Sequence, residues 1–168
     1  QDEVNRQEEL VNQRVKRKQF DGLITEVEKL VALRPDRKDV INLQTKLRNR
    51  DKKRLQQRDD AIQHAKKFLA VRDYESAIAV LRKVEPSVIT DEVTRLRSQA
   101  ENLQAQLRSL LQDIKQARSE KRFDGLMDTV KEAMTIAPED DGLTNLLASL
   151  EAREDKIAAE NIEQIAKF

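Results

Sequence analysis

His64 is the only histidine of the chain, and histidine is the one side chain whose ordinary pKa lies near neutrality. Asp60 stands four residues before it, so a helix through this stretch would set the pair side by side, within reach of acid–base chemistry. A single Asp–His pair is common by chance, and a metal site would need more ligands on the same face. Cysteine is absent, which excludes a thiol nucleophile, a disulfide framework and a thiolate metal site. Two identical tetrapeptides, Phe20-Asp21-Gly22-Leu23 and Phe123-Asp124-Gly125-Leu126, place glycine beside a carboxylate. They lack the preceding strand, the run of glycines and the Lys-Ser/Thr of a phosphate loop. Their glycines are expected to let helices approach closely, with Asp21 and Asp124 as caps. Glu139-Asp140-Asp141 lacks the alternating ligands of a calcium loop and suits the positive end of a helix dipole instead. The chain is therefore expected to have no catalytic residues, no metal site and no cofactor.

Binding is better represented than catalysis. Lys46, Arg48, Arg50, Lys52, Lys53, Arg54 and Arg58 form a basic stretch, preceded by Arg14, Lys16, Arg17 and Lys18. Charge of this kind supports non-specific phosphate contacts. No aromatic residues interleave to stack on bases, and no recognition-helix spacing is present, so nucleic-acid binding through 46–58 is an alternative to a solvated helix face. The near-zero net charge hides an asymmetry of +7 over residues 1–84 and −6 over residues 85–168. Such polarity suits head-to-tail contacts or an acidic partner near the N-terminal half.

Helices must position all of these residues. Three glycines and three prolines in 168 residues leave few places to interrupt one. The prolines, Pro35, Pro86 and Pro138, fall 51 and 52 residues apart, each following an aromatic that opens a short apolar pattern. Apolar spacings of three and four predict helices over 3–18, 20–33, 37–72, 74–84, 90–121, 123–136 and from Pro138 to about 167. The helix over 37–72 has no apolar residue between Arg48 and Arg54, which predicts a solvent-bridging middle or a local break. Thr90 or Ser87 is the expected N-cap of the helix over 90–121. That helix carries Val93, Leu96, Ala100, Leu103, Leu107, Leu110, Ile114 and Ala117, a heptad seam that other helices of the chain or a second chain could fill. Periodicity near 50 residues marks a repeat array in which each unit buries its apolar face on the next.

The short helices resemble the second helix of a tetratricopeptide-type hairpin. Tyr74 and Ala77 match its aromatic and small positions, Leu81 and Val84 its next two apolar positions, and Ala65 and Phe68 fit the preceding helix. Phe20, Val27, Leu30 and Pro35 fit a first unit, and Phe123, Val130, Ala133 and Pro138 a third. Leu23 and Leu126 depart from the small residue, Pro86 arrives three positions early, and the period of about 51 exceeds the family's 34. The pattern is similar to divergent repeats in regulatory regions of bacterial signalling proteins, including stretches that follow serine/threonine kinase domains. The resemblance implies an all-α, elongated array of antiparallel helical hairpins with units near 3–57, 58–108 and 109–168, forming a single domain. It also implies a non-catalytic module that presents a helical surface to a protein or peptide.

Polar, exposed positions on the long helices are the expected contacts, first among them Arg50, Arg54, Arg58 and His64. The rival structural reading is self-association through the seam at Val93, Leu96, Leu103, Leu107, Leu110 and Ile114. No apolar run approaches the roughly 18 residues that span a bilayer, so no membrane insertion is expected. A chain beginning at Gln1 is expected to be a fragment or a processed product, with the cytoplasm as its compartment.

Overall fold

In a computed structural model describing residues 2–166, the chain folds as seven α-helices with no strand among those residues. They are α1 (Asp2–Lys16), α2 (Leu23–Leu33), α3 (Lys38–Ala70), α4 (Tyr74–Arg82), α5 (Asp91–Ser119), α6 (Leu126–Ile136) and α7 (Asp141–Ile165). A single 3-10 turn, Pro86–Val88, separates α4 from α5. No helix among the described residues is long and apolar enough to cross a membrane.

Helix starts follow two designs. Asp73, Thr90 and Asp140 cap α4, α5 and α7, each side chain accepting from a backbone N–H in the first turn. Thr90, not Ser87, is thus the cap of α5. The starts of α2 and α6 have no side-chain cap, and α2 begins at Leu23 where the sequence pattern put Phe20. Gly22 and Gly125 sit there with φ of +71° and +72°, in the left-handed region where a Cβ is strained. A Cβ at either would meet nothing within 4 Å, so these glycines serve backbone conformation and not close helix approach. Asp21 and Asp124 do not cap these starts, contrary to expectation.

The three helix ends at α1, α3 and α5 share one closure. Lys18, Arg72 and Lys121 adopt φ of 55°, 62° and 56°. The next residue of each, Gln19, Asp73 and Arg122, donates its N–H to a carbonyl five residues back at 2.9 Å. This is a Schellman closure built with a cation where glycine is usual. The cation suits the negative end of the helix dipole, and its backbone strain is of order 1 kcal/mol.

Each short helix is the centre of one core cluster. Leu23, Val27 and Leu30 of α2 pack with Val11, Val40 and Leu47. Ala77, Ile78 and Leu81 of α4 pack between Ile62 and Ala65 of α3 and Val93, Leu96 and Ala100 of α5. Leu126, Val130 and Ala133 of α6 pack with Leu110, Ile114, Leu143 and Leu150. Burying one such Leu or Val contributes about 1.5–3 kcal/mol, so every cluster depends on both flanking long helices. The seam of α5 is consumed in this way. Val93, Leu96 and Ala100 enter the middle cluster, while Leu110 and Ile114 enter the third, with Leu103 and Leu107 against it. Of the two fillings open to that seam, the chain's own helices supply this one, with Leu103 and Leu107 left partly buried.

Helix α3 is unbroken, about 50 Å long at 1.5 Å per residue, and spans two clusters. Its polar middle is not simply a solvent bridge, because Arg54 is 6% exposed. The molecule exposes 12125 Å². A compact monomer of 19.4 kDa would expose about 8,500 Å², so the thin core implied by composition is realised as an extended body.

Candidate binding cleft between α3 and α4

Continuity of α3 puts Arg54, Gln57, Arg58, Ala61 and His64 on one face, at spacings of three and four residues. The end of α4 supplies Val80, and the segment after it supplies Lys83, Val84 and Glu85. Between them lies a cleft of about 350 Å³. Ala61, Val80 and Val84 give it apolar surface, and charged groups surround them.

Arg54 anchors one end. Its Nη1 donates to Asp21 Oδ1 at 2.8 Å and lies 3.7 Å from Asp51 Oδ1. Its Nε lies 2.5 Å from Glu85 Oε2 as an ion pair but makes no hydrogen bond. Burial by itself would lower the Arg54 pKa, yet the Asp21 hydrogen bond and the charges of Asp21, Glu85 and Asp51 raise it. The guanidinium therefore stays charged and ties the start of α2 to the loop after α4. The unused Asp21 cap is explained by this contact.

The other end is less constrained. His64 is exposed, and no hydrogen bond joins it to Asp60, which accepts from Gln56 Nε2 at 2.9 Å. Arg58 donates through Nε and Nη2 to the neighbouring Asp59 carboxylate. Lys83 is exposed, and among the described residues it forms no ion pair within 4.0 Å. The lining contains no Ser, Thr or Cys, and its charged groups besides the arginines and His64 are Asp60, Lys83 and Glu85. The His64 imidazole and the Lys83 ammonium can donate to a carboxylate or a peptide carbonyl.

Of the four residues singled out by sequence, Arg54, Arg58 and His64 meet in this cleft. Arg50 does not line it. Its guanidinium carbon lies 5.0 Å from the centroid of the Phe20 ring, and its Nη1 is 4.0 Å from Asp21 Oδ1 with no hydrogen bond. Arg54 is also not the exposed contact expected, since three carboxylates around it hold it inward. Lys83 and Glu85 escaped sequence reasoning. The available signal was that the helix over 74–84 must end against α3 at the position where its charged tail begins.

A second groove, of about 470 Å³, runs between α5 and α7. Leu111, Ile114, Leu143 and Leu146 line it, with Lys115 and Arg118 on its α5 side. The corresponding place between α1 and α3, 103 residues earlier, is crossed by an Arg37–Glu8 ion pair of 2.9 Å. Leu111 and Asp140 stand at those two positions in the second groove and cannot make that bridge.

No protein-family model, curated protein or solved structure matches this chain.

Proposed function

We propose that the chain is a non-catalytic interaction module, a divergent tetratricopeptide-like array of antiparallel hairpins that holds a protein or peptide segment in the α3–α4 cleft. The observation that carries this reading is the convergence of Arg54, Arg58, His64 and Lys83 around an apolar floor of Ala61, Val80 and Val84. Short connections between successively packed helices support antiparallel neighbours. Recurrence of the Lys18 and Lys121 closures, and of Gly22 and Gly125, at a spacing of 103 residues supports the repeat.

The cleft suits an extended segment with one apolar side chain for the floor and one carboxylate for His64 and Lys83. Selection of peptides from a random displayed library against the purified protein tests this. Enriched peptides should contain an acidic residue near an apolar one, and should lose at least tenfold in affinity when Lys83→Glu and His64→Ala are combined. Enriched peptides indifferent to both substitutions would refute the site.

The nucleic-acid alternative through residues 46–58 is weakened by how its cations are placed. Arg48 pairs with Glu28, Arg54 with Asp21 and Glu85, and Arg58 with Asp59, which compensates three of its seven cations and leaves exposed Lys46, Lys52 and Lys53 to carry it.

A further inference from the structure

His64 is the only histidine of the chain and the only group lining the α3–α4 cleft that ordinarily changes charge near neutral pH. Its imidazole is exposed and makes no hydrogen bond to Asp60. Most other charges around it are already spent. Arg54 is enclosed by Asp21, Asp51 and Glu85, and Arg58 is held by Asp59. On the side of α5, Glu92 is paired with Lys66, with Arg95 near it. Lys67 stands three residues after His64 on α3 but outside the lining.

Two groups of the lining remain without an ionic partner among the described residues. They are one cation, Lys83, and one carboxylate, Asp60, which accepts only from the neutral Gln56 amide. Their charges offset each other, so a cleft with a neutral imidazole has none left over for an incoming carboxylate. A proton on His64 supplies it. The hydrogen bond from an imidazolium to a carboxylate is also roughly twice as strong as one between neutral groups. Asp60 attracts that proton and Lys83 repels it, whereas a carboxylate seated beside the ring adds attraction alone.

We infer that protonation of His64 gates the α3–α4 cleft, which holds an acidic peptide segment below neutral pH and releases it as the imidazole loses its proton. This rests on the reading of the cleft as a site for an acidic segment. The coupling is reciprocal: the proton tightens the peptide, and the peptide draws a proton onto His64.

The test uses the intact protein and the most enriched acidic peptide of the selection above, synthesised without histidine and with both ends blocked. Titration calorimetry should show its affinity falling about fivefold from about pH 5.5 to about pH 7.5, a range in which ordinary carboxylates stay ionised. Two buffers of different ionisation enthalpy should report protons taken up on binding. In His64→Gln, which keeps a donor that cannot titrate, affinity should stay level and the uptake should vanish. Replacing the acidic residue of the peptide by its amide should flatten the wild-type profile as well. His64 is exposed, and unchanged helical circular dichroism checks that the variant folds. A level wild-type profile overturns the inference and leaves the cleft reading standing. A fall that persists in His64→Gln also overturns it, because the proton then sits elsewhere. Peptides indifferent to Lys83→Glu combined with His64→Ala remove both.

Discussion

Residues 2–47 and 105–150 place their helix ends and starts at matching positions, 103 residues apart. Lys18 and Lys121 close helices with φ of 55° and 56°, and Gly22 and Gly125 open the next ones at 71° and 72°. Arg50 stacks on Phe20, and Arg153, 103 residues later, lies 3.5 Å from the centroid of Phe123. Val11, Leu23, Val27 and Leu47 correspond to Ile114, Leu126, Val130 and Leu150, all buried. The edges differ. In the first segment Arg37 bridges to Glu8, and Arg54 gathers Asp21, Asp51 and Glu85. In the second, Asp140 and Leu111 leave the groove open, and exposed Ile157 stands where Arg54 would be. One scaffold can thus be sealed by ions or left apolar and available. The seal follows from the residue types at the edges and, for Arg54, from Glu85 lying alongside.

The largest expected effect tests the shared core. Leu23→Ala and Leu126→Ala should each cost about 3 kcal/mol in urea unfolding, as fully buried leucines do. Costs differing by more than about 1.5 kcal/mol would show that the two cores are not equivalent. Next comes the seal. Arg54→Met should cost about 2 kcal/mol, below the full penalty for a broken buried pair because its partner carboxylates are half-exposed. Ile157→Ala, at the corresponding place, should change stability by less than about 0.5 kcal/mol.

A third measurement concerns the middle segment, which neither outer one resembles here. Tyr74 Oη donates to the Ile136 carbonyl at 2.6 Å, linking α4 to the end of α6 through a buried bond. Phe20 and Phe123 hold the equivalent places without a hydroxyl. Tyr74→Phe should cost about 1–2 kcal/mol and speed amide exchange in α6 more than in α2. Equal acceleration in both helices would count against this role.

The smallest effect is one of acidity. Its hydrogen bond with Arg37 holds the Asp39 carboxyl down at about 2. Gln7 lowers Glu26, and Arg34 lowers Asp36. A depressed folded-state pKa contributes stability that is present above the unfolded value and lost as pH falls through the folded one. The positions corresponding to Asp39 and Glu26 are Gly142 and Thr129, which cannot titrate, and the second segment has one lowered carboxylate, Glu120 beside Gln116 and Arg122, against three in the first. Amide exchange followed from pH 5 down to pH 2, corrected for intrinsic rates, should therefore show α2 losing protection before α6. Loss in the reverse order would contradict the comparison.

Much of the helical layout was legible in the residues. The apolar spacings of α2, α4 and α6 located their buried faces, because a short helix between two neighbours must bury one continuous stripe. The helix ends were less legible. Left-handed Lys18, Arg72 and Lys121 stand where glycine is the usual sign, so three closures carry no residue-type signal. Arg54 was misjudged for a related reason. A guanidinium in a run without apolar residues looks solvated until the carboxylates from positions 21, 51 and 85 are seen to surround it.

The sequence by itself determined that this chain is helical, that its short helices are buried on one stripe, and that the same tetrapeptide stands at the starts of α2 and α6. These are consequences of local spacing and of the scarcity of glycine and proline, which act over a few residues at a time. Only the tertiary structure decided that the α5 seam is spent inside the chain, that Arg54 is buried, and that one groove is bridged while its counterpart stays open. Those outcomes depend on which charges and apolar faces meet across separations of 29 to 62 residues, and no local pattern encodes such meetings.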